Sequence, residues 1–315
     1  MIEFNLNYWK NKKILVTGGT GFLGKALVHM LKSLKTSKLT SIGSKDFDLR
    51  NYKECVKACN GQDIVIHLAA NVGGIGYNMQ HPGTLFEDNI LMCTNMMKAA
   101  KDAGIQKYVA LGTICSYPKN TPTPFKESYL WRGYPEETNA PYGLAKLMQL
   151  VQAQAYRQQY NFNALFLLPV NLYGPEDNFD PSSSHVIPAL IKKFVDAKKQ
   201  NHKTVTVWGT GKATREFLYV EDAAEGILKA TEQYNKSEPV NLGAGFEISI
   251  TDLATLIKKH INFKGKIVWD KTKPDGQPRR MLDTSTAKKE FGFVAKTPFD
   301  IGLKNTIDWY LQNYL

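Results

Sequence analysis

The chain predicts an α/β fold: a doubly wound parallel sheet with a smaller, irregular α/β domain beside it. Three observations point there. Short apolar runs alternate with amphipathic helical stretches up to about residue 170. A glycine-rich turn follows the first apolar run. After Asn171 the regular alternation gives way to short elements among Pro, Ser, Asn and Asp.

In order, Lys13–Thr17 reads as a buried strand and Phe22 to Leu34 as a helix. Leu39–Ile42 is a weak strand, and Asp63–Leu68 is a strong one. Thr84–Ala103 is a long helix, Tyr108–Leu111 a strand, Pro141–Tyr160 a helix and Ala164–Leu168 a strand. Right-handed crossovers between such strands put helices on both faces of one sheet. Asn171–Ser184 reads as loop. Helices are expected over His185–Lys199, Glu221–Glu232 and Thr251–Lys259, with a strand near Thr204–Trp208. The expected division is a nucleotide-binding domain over 1–170, with 217–243 returning to it. A second domain, supplying the substrate walls, takes 171–216 and 244–315.

Composition excludes several classes. The hydrophobic fraction is 43% and the charged fraction 22%, which argues against a disordered scaffold. The net charge is +11, but the basic residues are scattered without a groove-binding motif, which disfavours nucleic acid as partner. No apolar stretch is long enough for a membrane span, and Met1–Lys10 lacks the apolar core and cleavage site of a secretory signal, so a cytoplasmic protein is expected. Cys55 and Cys59 have no second Cys/His pair to complete a zinc site; no metal is expected, and the thiols read as reduced.

The turn after the first strand is Thr17-Gly18-Gly19-Thr20-Gly21-Phe22-Leu23-Gly24. Gly19, Gly21 and Gly24 match G-x-G-x-x-G, and Gly18, Gly21 and Gly24 match G-x-x-G-x-x-G. Such glycines allow a tight turn, close approach to a pyrophosphate and close helix–strand packing. The next helix offers its N-terminal N–H groups to the anion. This is a Rossmann-like dinucleotide cradle, with Leu68, Ala69 and Ala70 after the third strand also assigned to the cofactor. Beyond the second strand, Ser44 and Lys45 can hold a 2′-phosphate, whereas Asp46 would suit ribose hydroxyls. The small-plus-basic pair arrives first, which favours NADP(H), and Asp48 should lie near the adenine.

Tyr142 and Lys146 are four apart behind Pro141, so they share a helical face. A neighbouring ammonium is expected to lower the phenol and make it a proton donor to a carbonyl. Spacing alone proves nothing, because Tyr8 and Lys12 repeat it before the first strand. Context separates the two pairs: Thr113 places a hydroxyl at the carboxyl edge of the sheet, where ligands of such folds bind. The Thr113, Tyr142 and Lys146 set resembles the extended short-chain dehydrogenase/reductase family, whose triad is Ser/Thr, Tyr and Lys.

Two further residues admit two readings. Cys115, just beyond Thr113, is either a buried structural thiol or, as thiolate, a base for a carbon beside a carbonyl. His185 is either a helix-starting residue or the acid on the opposite face.

Several ordered blocks bear on the choice: Asn71–Ile75, the Cys115 segment, Asn171–Pro175 with Asp177 and Asn178, Ser184–Pro188, Arg215–Leu218 and Lys273–Gly276. Together they resemble the GDP-L-fucose synthase family, the GDP-4-keto-6-deoxy-D-mannose 3,5-epimerase/4-reductases, from about Lys13 to the C-terminus. The resemblance implies epimerisation at C3 and C5, then NADPH-dependent reduction at C4. Thr113, Tyr142 and Lys146 take the reductase triad, Cys115 is the epimerase base and His185 the acid. It implies GDP contacts at Asn171, Leu172, Val186, Trp208, Arg215 and Lys273, for which Trp208 offers a stacking face and Arg215 a phosphate fork. It also implies a homodimer through a four-helix bundle built from the helices that carry Phe86, Leu91 and Val151. The family usually shows Ser-Ser-Cys-Ile-Tyr-Pro. Ile114 removes a polar group beside the sugar and Ser116 is expected to add one, so a deoxyheptose substrate or a single-activity relative stays open, as does, more distantly, a non-catalytic cofactor-binding scaffold.

Overall fold

The computed structural model describes residues 4–273 and 275–315. In chain order, α1 (Leu6–Trp9), β1 (Lys13–Thr17), α2 (Phe22–Ser33), β2 (Lys38–Ile42), α3 (Tyr52–Cys59) and β3 (Ile64–His67) open the fold. Next come α4 (Ile75–Gln80), α5 (Pro82–Asp102), β4 (Lys107–Leu111), α6 (Ala140–Tyr160) and β5 (Ala164–Pro169). Then β6 (Asn171–Tyr173), α7 (Val186–Lys199), β7 (Thr204–Trp208), β8 (Thr214–Arg215), β9 (Phe217–Tyr219), α8 (Val220–Gln233) and β10 (Val240–Leu242) follow. The chain closes with β11 (Ile248–Ser249), α9 (Ile250–Ile261), β12 (Lys266–Asp270), β13 (Arg279–Arg280), α10 (Ser285–Phe291) and α11 (Phe299–Tyr314).

The main sheet has six strands in the order β10-β5-β4-β3-β1-β2, all parallel. Parallel sheets are covered on both faces. Accordingly Ile14, Leu15, Val16, Ile64, Val65, Ile66, Val109 and Ala110 are buried, and the strands read as unbroken apolar runs. Helices start and stop where local chemistry demands. Pro141 sits in the first turn of α6, where its missing N–H costs no bond. Asn161 closes the same helix in the left-handed region at φ 52°.

The smaller lobe has its own apolar cluster, from Ile187, Leu190, Ile191 and Phe194 of α7 through Leu253 and Ile257 of α9 to Leu303 and Ile307 of α11. Its sheets are short: β12 pairs with β7, β6 with β9, and β8 lies between β11 and β13. Residues 171–173 were expected as loop and form β6, because they find the parallel partner β9. A three-residue strand defined by a distant partner carries no period of its own. Tyr8, the decoy of the Tyr–Lys spacing, donates from its hydroxyl to the Thr231 carbonyl at 3.0 Å, tying α1 to α8 away from the sheet's ligand edge. Cys55 and Cys59 are free and buried in α3, and burial pushes each thiol up to about 12.

Candidate active site

The carboxyl ends of β1, β3, β4 and β5 open into a cleft of about 1100 Å³ that continues across the smaller lobe to Trp208 and Arg215. One end is the glycine turn. Gly18 holds φ +65°, and a Cβ there would lie 2.8 Å from the Ala69 nitrogen. A Cβ on Gly24 would strike the Gly18 carbonyl, so α2 is packed directly onto the turn. Gly21 caps α2, whose first N–H groups face the cleft. Thr20, Phe22, Leu23, Leu68, Ala69 and Ala70 line the same wall. Gly19 does not line it. Its N–H donates to the Ile42 carbonyl at 3.0 Å and its α-carbon faces Ser41, so it packs turn against β2 and the cleft takes the Gly18, Gly21, Gly24 spacing.

The cofactor-selecting loop is rearranged relative to expectation. Asp46 stays exposed and accepts from the Gly43 N–H at 2.7 Å, so its carboxylate is engaged by its own loop. Ser44 lines the cleft, while Lys45 is exposed and stands outside the lining. Arg50, which the sequence reading passed over, lines it instead, bound to Asp48 at 2.9 Å and Asp88 at 3.1 Å. The turn, the helix N-terminus and Ser44 fit a dinucleotide with a 2′-phosphate; a positive charge for that phosphate would have to come from Lys45 swinging in or Arg50 exchanging partners.

All of Thr113, Cys115, Tyr142, Lys146 and His185 line the middle of the cleft. Thr113 ends the segment after β4 and accepts from the Cys115 N–H at 3.2 Å, which leaves its own O–H free to donate. Ser116 is buried and donates to the Gly143 carbonyl at 2.8 Å. It therefore does not add a polar group beside a sugar, as expected; it bolts the Cys115 turn to the first turn of α6. Gly143 is required there, since a Cβ would lie 2.4 Å from the Cys115 carbonyl. Ile114, in contrast, does line the cleft.

The electrostatics differ from expectation at Tyr142. Burial pushes the phenol well above its ordinary value, with Cys115 and Cys93 adding to the effect, and this outweighs the lowering expected from Lys146. Tyr142 is thus a firmly protonated donor. The Lys146 side chain is buried, with Nζ 4.0 Å from the Cys93 sulfur. Burial lowers His185, favouring the neutral imidazole, at the N-terminus of α7.

Asn171, Leu172, Val186, Trp208 and Arg215 form the far wall. Arg215 is locked by carbonyls: Nη1 donates to Thr214 at 2.7 Å and Gln277 at 2.6 Å, and Nη2 to Asp275 at 3.1 Å. Lys273 stands outside the lining; its Nζ sits 5.5 Å from the Trp208 ring centroid. Lys193, not singled out from sequence, lines the cleft at the same 5.5 Å from that ring. Its position on α7 offers no local signal. Four cleft residues carry buried polar atoms without a protein partner among the described residues: Asn78 Oδ1, Asp177 Oδ2, Ser184 Oγ and Arg280 Nε. Orphaned buried polar atoms at one cleft mark a surface built to meet polar ligand groups.

Known proteins resemble this chain in sequence and in fold. The model of the NAD dependent epimerase/dehydratase family matches residues 14–243. GDP-L-fucose synthase 1 of Arabidopsis thaliana is 40% identical, over 96% of this chain and 94% of its own. The crystal structure of a GDP-L-fucose synthetase from Naegleria fowleri superposes with a TM-score of 0.87 at 33% identity, covering 97% of this chain and 95% of that one. A GDP-6-OMe-4-keto-L-xylo-heptose reductase from C. jejuni superposes with a TM-score of 0.91 at 27% identity, covering 96% and 98%. The six-stranded parallel sheet, its glycine turn and these matches place the chain in the NAD dependent epimerase/dehydratase family, among relatives that include the GDP-L-fucose synthases.

Proposed function

We propose that this chain is a bifunctional 3,5-epimerase and NADPH-dependent 4-reductase that converts GDP-4-keto-6-deoxy-D-mannose to GDP-L-fucose. One observation carries the reading. A single cleft joins a dinucleotide turn at one end, a Trp–Arg wall at the other, and Thr113, Cys115, Tyr142, Lys146 and His185 between them. The name of the Arabidopsis relative states the synthesis of GDP-L-fucose.

In this reading the GDP lies against Trp208 and Arg215, with Asn171, Leu172, Val186 and Lys193 around it and Lys273 at the edge. The C4 carbonyl makes the hydrogens on C3 and C5 acidic. Cys115 as thiolate removes one of them, leaving an enolate whose oxygen takes a hydrogen bond from Thr113. His185, neutral in the cleft, must first take up a proton from solvent; it then delivers that proton to carbon from the opposite face, and the centre inverts. NADPH, when bound, supplies the hydride for C4. Tyr142 gives its proton to the C4 oxygen, and buried Lys146 compensates the charge left on the phenolate. Gly18, Gly21 and Gly24 with Thr20, Phe22 and Leu23 hold the pyrophosphate; Ser44 takes the 2′-phosphate, with the positive charge from Lys45 swung inward or from Arg50 released by its carboxylates.

We divide the chain into a cofactor lobe, 1–170 with 217–243, and a substrate lobe, 171–216 with 244–315. The two apolar clusters support this in outline, although Leu282, Ala287, Phe291 and Phe293 pack on the first lobe, and Phe217 and Tyr219 on the second. We further assign a cytoplasmic homodimer. Phe86, Leu91 and Val151 are exposed on α5 and α6, the helices that pack on each other, and would close a four-helix bundle with a second copy. All four cysteines are free, which suits a reducing compartment. No helix among the described residues is long and apolar enough to cross a membrane.

The test is turnover of GDP-4-keto-6-deoxy-D-mannose with NADPH, reading product stereochemistry by NMR. GDP-L-fucose is expected, with NADPH preferred to NADH; a product unchanged at C3 and C5 would leave a reductase only. A second reading, a GDP-deoxyheptose substrate, has Ile114 in its favour: an apolar cleft residue beside Cys115, in a chain that also superposes on the heptose reductase.

A further inference from the structure

Arg280 lines the cleft and takes no part in the chemistry proposed above. It belongs to β13, whose parallel register with β8 sets Arg280 opposite Arg215. Two guanidiniums therefore stand side by side, and their surroundings differ. Arg215 is held by three backbone carbonyls. Burial and the charge of Arg280 together pull it down to about 10. Arg280 makes no ion pair among the described residues. Its Nε is buried without a partner. Its side-chain hydrogen bond runs from Nη2 to the Cys115 sulfur at 3.4 Å, across 165 positions of sequence.

A half-buried guanidinium with no carboxylate beside it is a ready partner for an anion. Sulfur at that distance supplies one only as thiolate, and an arginine within hydrogen-bond reach is the kind of neighbour that makes a cysteine reactive. We propose that Arg280 is the positioning residue of the epimerase half-site: it holds Cys115 as thiolate and aims its lone pair into the cleft. The inference rests on the reading of Cys115 as the base. In the step it serves, the S–H bond forms as the C–H bond at C3 or C5 breaks, the electron pair moves to the C4 oxygen, and the guanidinium keeps its charge throughout. Arg280 touches neither substrate carbon nor cofactor in this scheme.

The experiment follows iodoacetamide alkylation of the whole protein at neutral pH, together with the far-ultraviolet thiolate absorbance. Cys55, Cys59 and Cys93 are buried, and Cys115→Ser defines the background. In Arg280→Gln the alkylation rate of Cys115 should fall about tenfold and the thiolate band should shrink. Arg280→Lys, which keeps the charge without the fork, should recover most of both. NADPH binding reports that each variant is folded. Deuterium exchange into the substrate should fall in step with the thiolate signal across the three proteins. Unchanged alkylation and absorbance in Arg280→Gln would overturn the proposal, as would an unchanged thiol accompanied by a raised KM, which would make Arg280 a phosphate ligand. Failure of the underlying reading looks different: the thiol responds to Arg280, but the unmutated enzyme exchanges no deuterium at all.

Discussion

Tyr142 and Cys115 share the cleft with opposite requirements. Burial and the neighbouring thiols keep the phenol protonated, which suits a residue that must give a proton away. Tyr142→Phe should therefore slow C4 reduction by about 10²–10⁴-fold while sparing exchange at carbon, as read by NADPH oxidation against proton NMR of the substrate. Cys115→Ser should do the reverse, with exchange lost and cofactor affinity kept. Asp177 makes a separate prediction. Its Oδ2 is closed off from solvent without a partner, and burial pushes the carboxyl up to about 7 from its ordinary 3.8. A carboxyl whose folded value lies above its unfolded one favours folding while protonated, and that contribution is lost as pH rises through the folded value. Stability should thus decline between roughly pH 4 and 7 on this account, and Asp177→Asn should flatten that decline in urea titrations.

Glu216 joins three separate segments through one side chain. Its Oε1 accepts from the N–H groups of Ala244 at 2.6 Å and Gly245 at 2.7 Å, and its Oε2 from Leu282 at 2.7 Å. The loop after β10 and the segment before α10 are thereby tied to β8 and β9, beside the Arg215–Arg280 pair. Burial pushes this carboxyl up to about 7 against the pull of the three donors. Glu216→Gln replaces one acceptor with an NH2 facing an N–H, so it should cost about 1–3 kcal/mol of unfolding free energy by denaturant titration. The glycine turn was legible because its geometry is set within eight consecutive residues, and Tyr142 with Lys146 because helix pitch puts them on one face. Arg280 was not, since β8 and β13 are two residues long and become neighbours only when the chain folds. Lys193 escaped for the same reason: its role depends on which partner the fold delivers. The Asp46 contact is different, because its carboxylate accepts from Gly43 only three residues away, a local turn that the Gly-Ser-Lys-Asp run could have signalled. Ser116 was placed beside the sugar because spacing reveals proximity to Cys115 but not direction.

At the scale of the whole molecule the +11 charge narrows in meaning. A few cations, Arg215, Lys193 and Arg280 among them, belong to the cleft, while many lysines pair with surface carboxylates, as Lys98 does with Asp102 and Lys304 with Asp308. Surface pairs of this kind contribute little to stability. The apolar residues left exposed on α5 and α6 matter more. Light scattering at micromolar concentration should give twice the chain mass, and Val151→Glu combined with Leu91→Glu should return it to the monomer value. A monomer for the unmutated chain would remove the four-helix bundle.

The central claim is that one cleft performs both inversion at carbon and reduction of the carbonyl. It is tested most directly by supplying GDP-4-keto-6-deoxy-D-mannose and NADPH in D2O and locating deuterium in the product. NADPH oxidation with deuterium at both C3 and C5 is expected. Reduced product without deuterium at either carbon would contradict it.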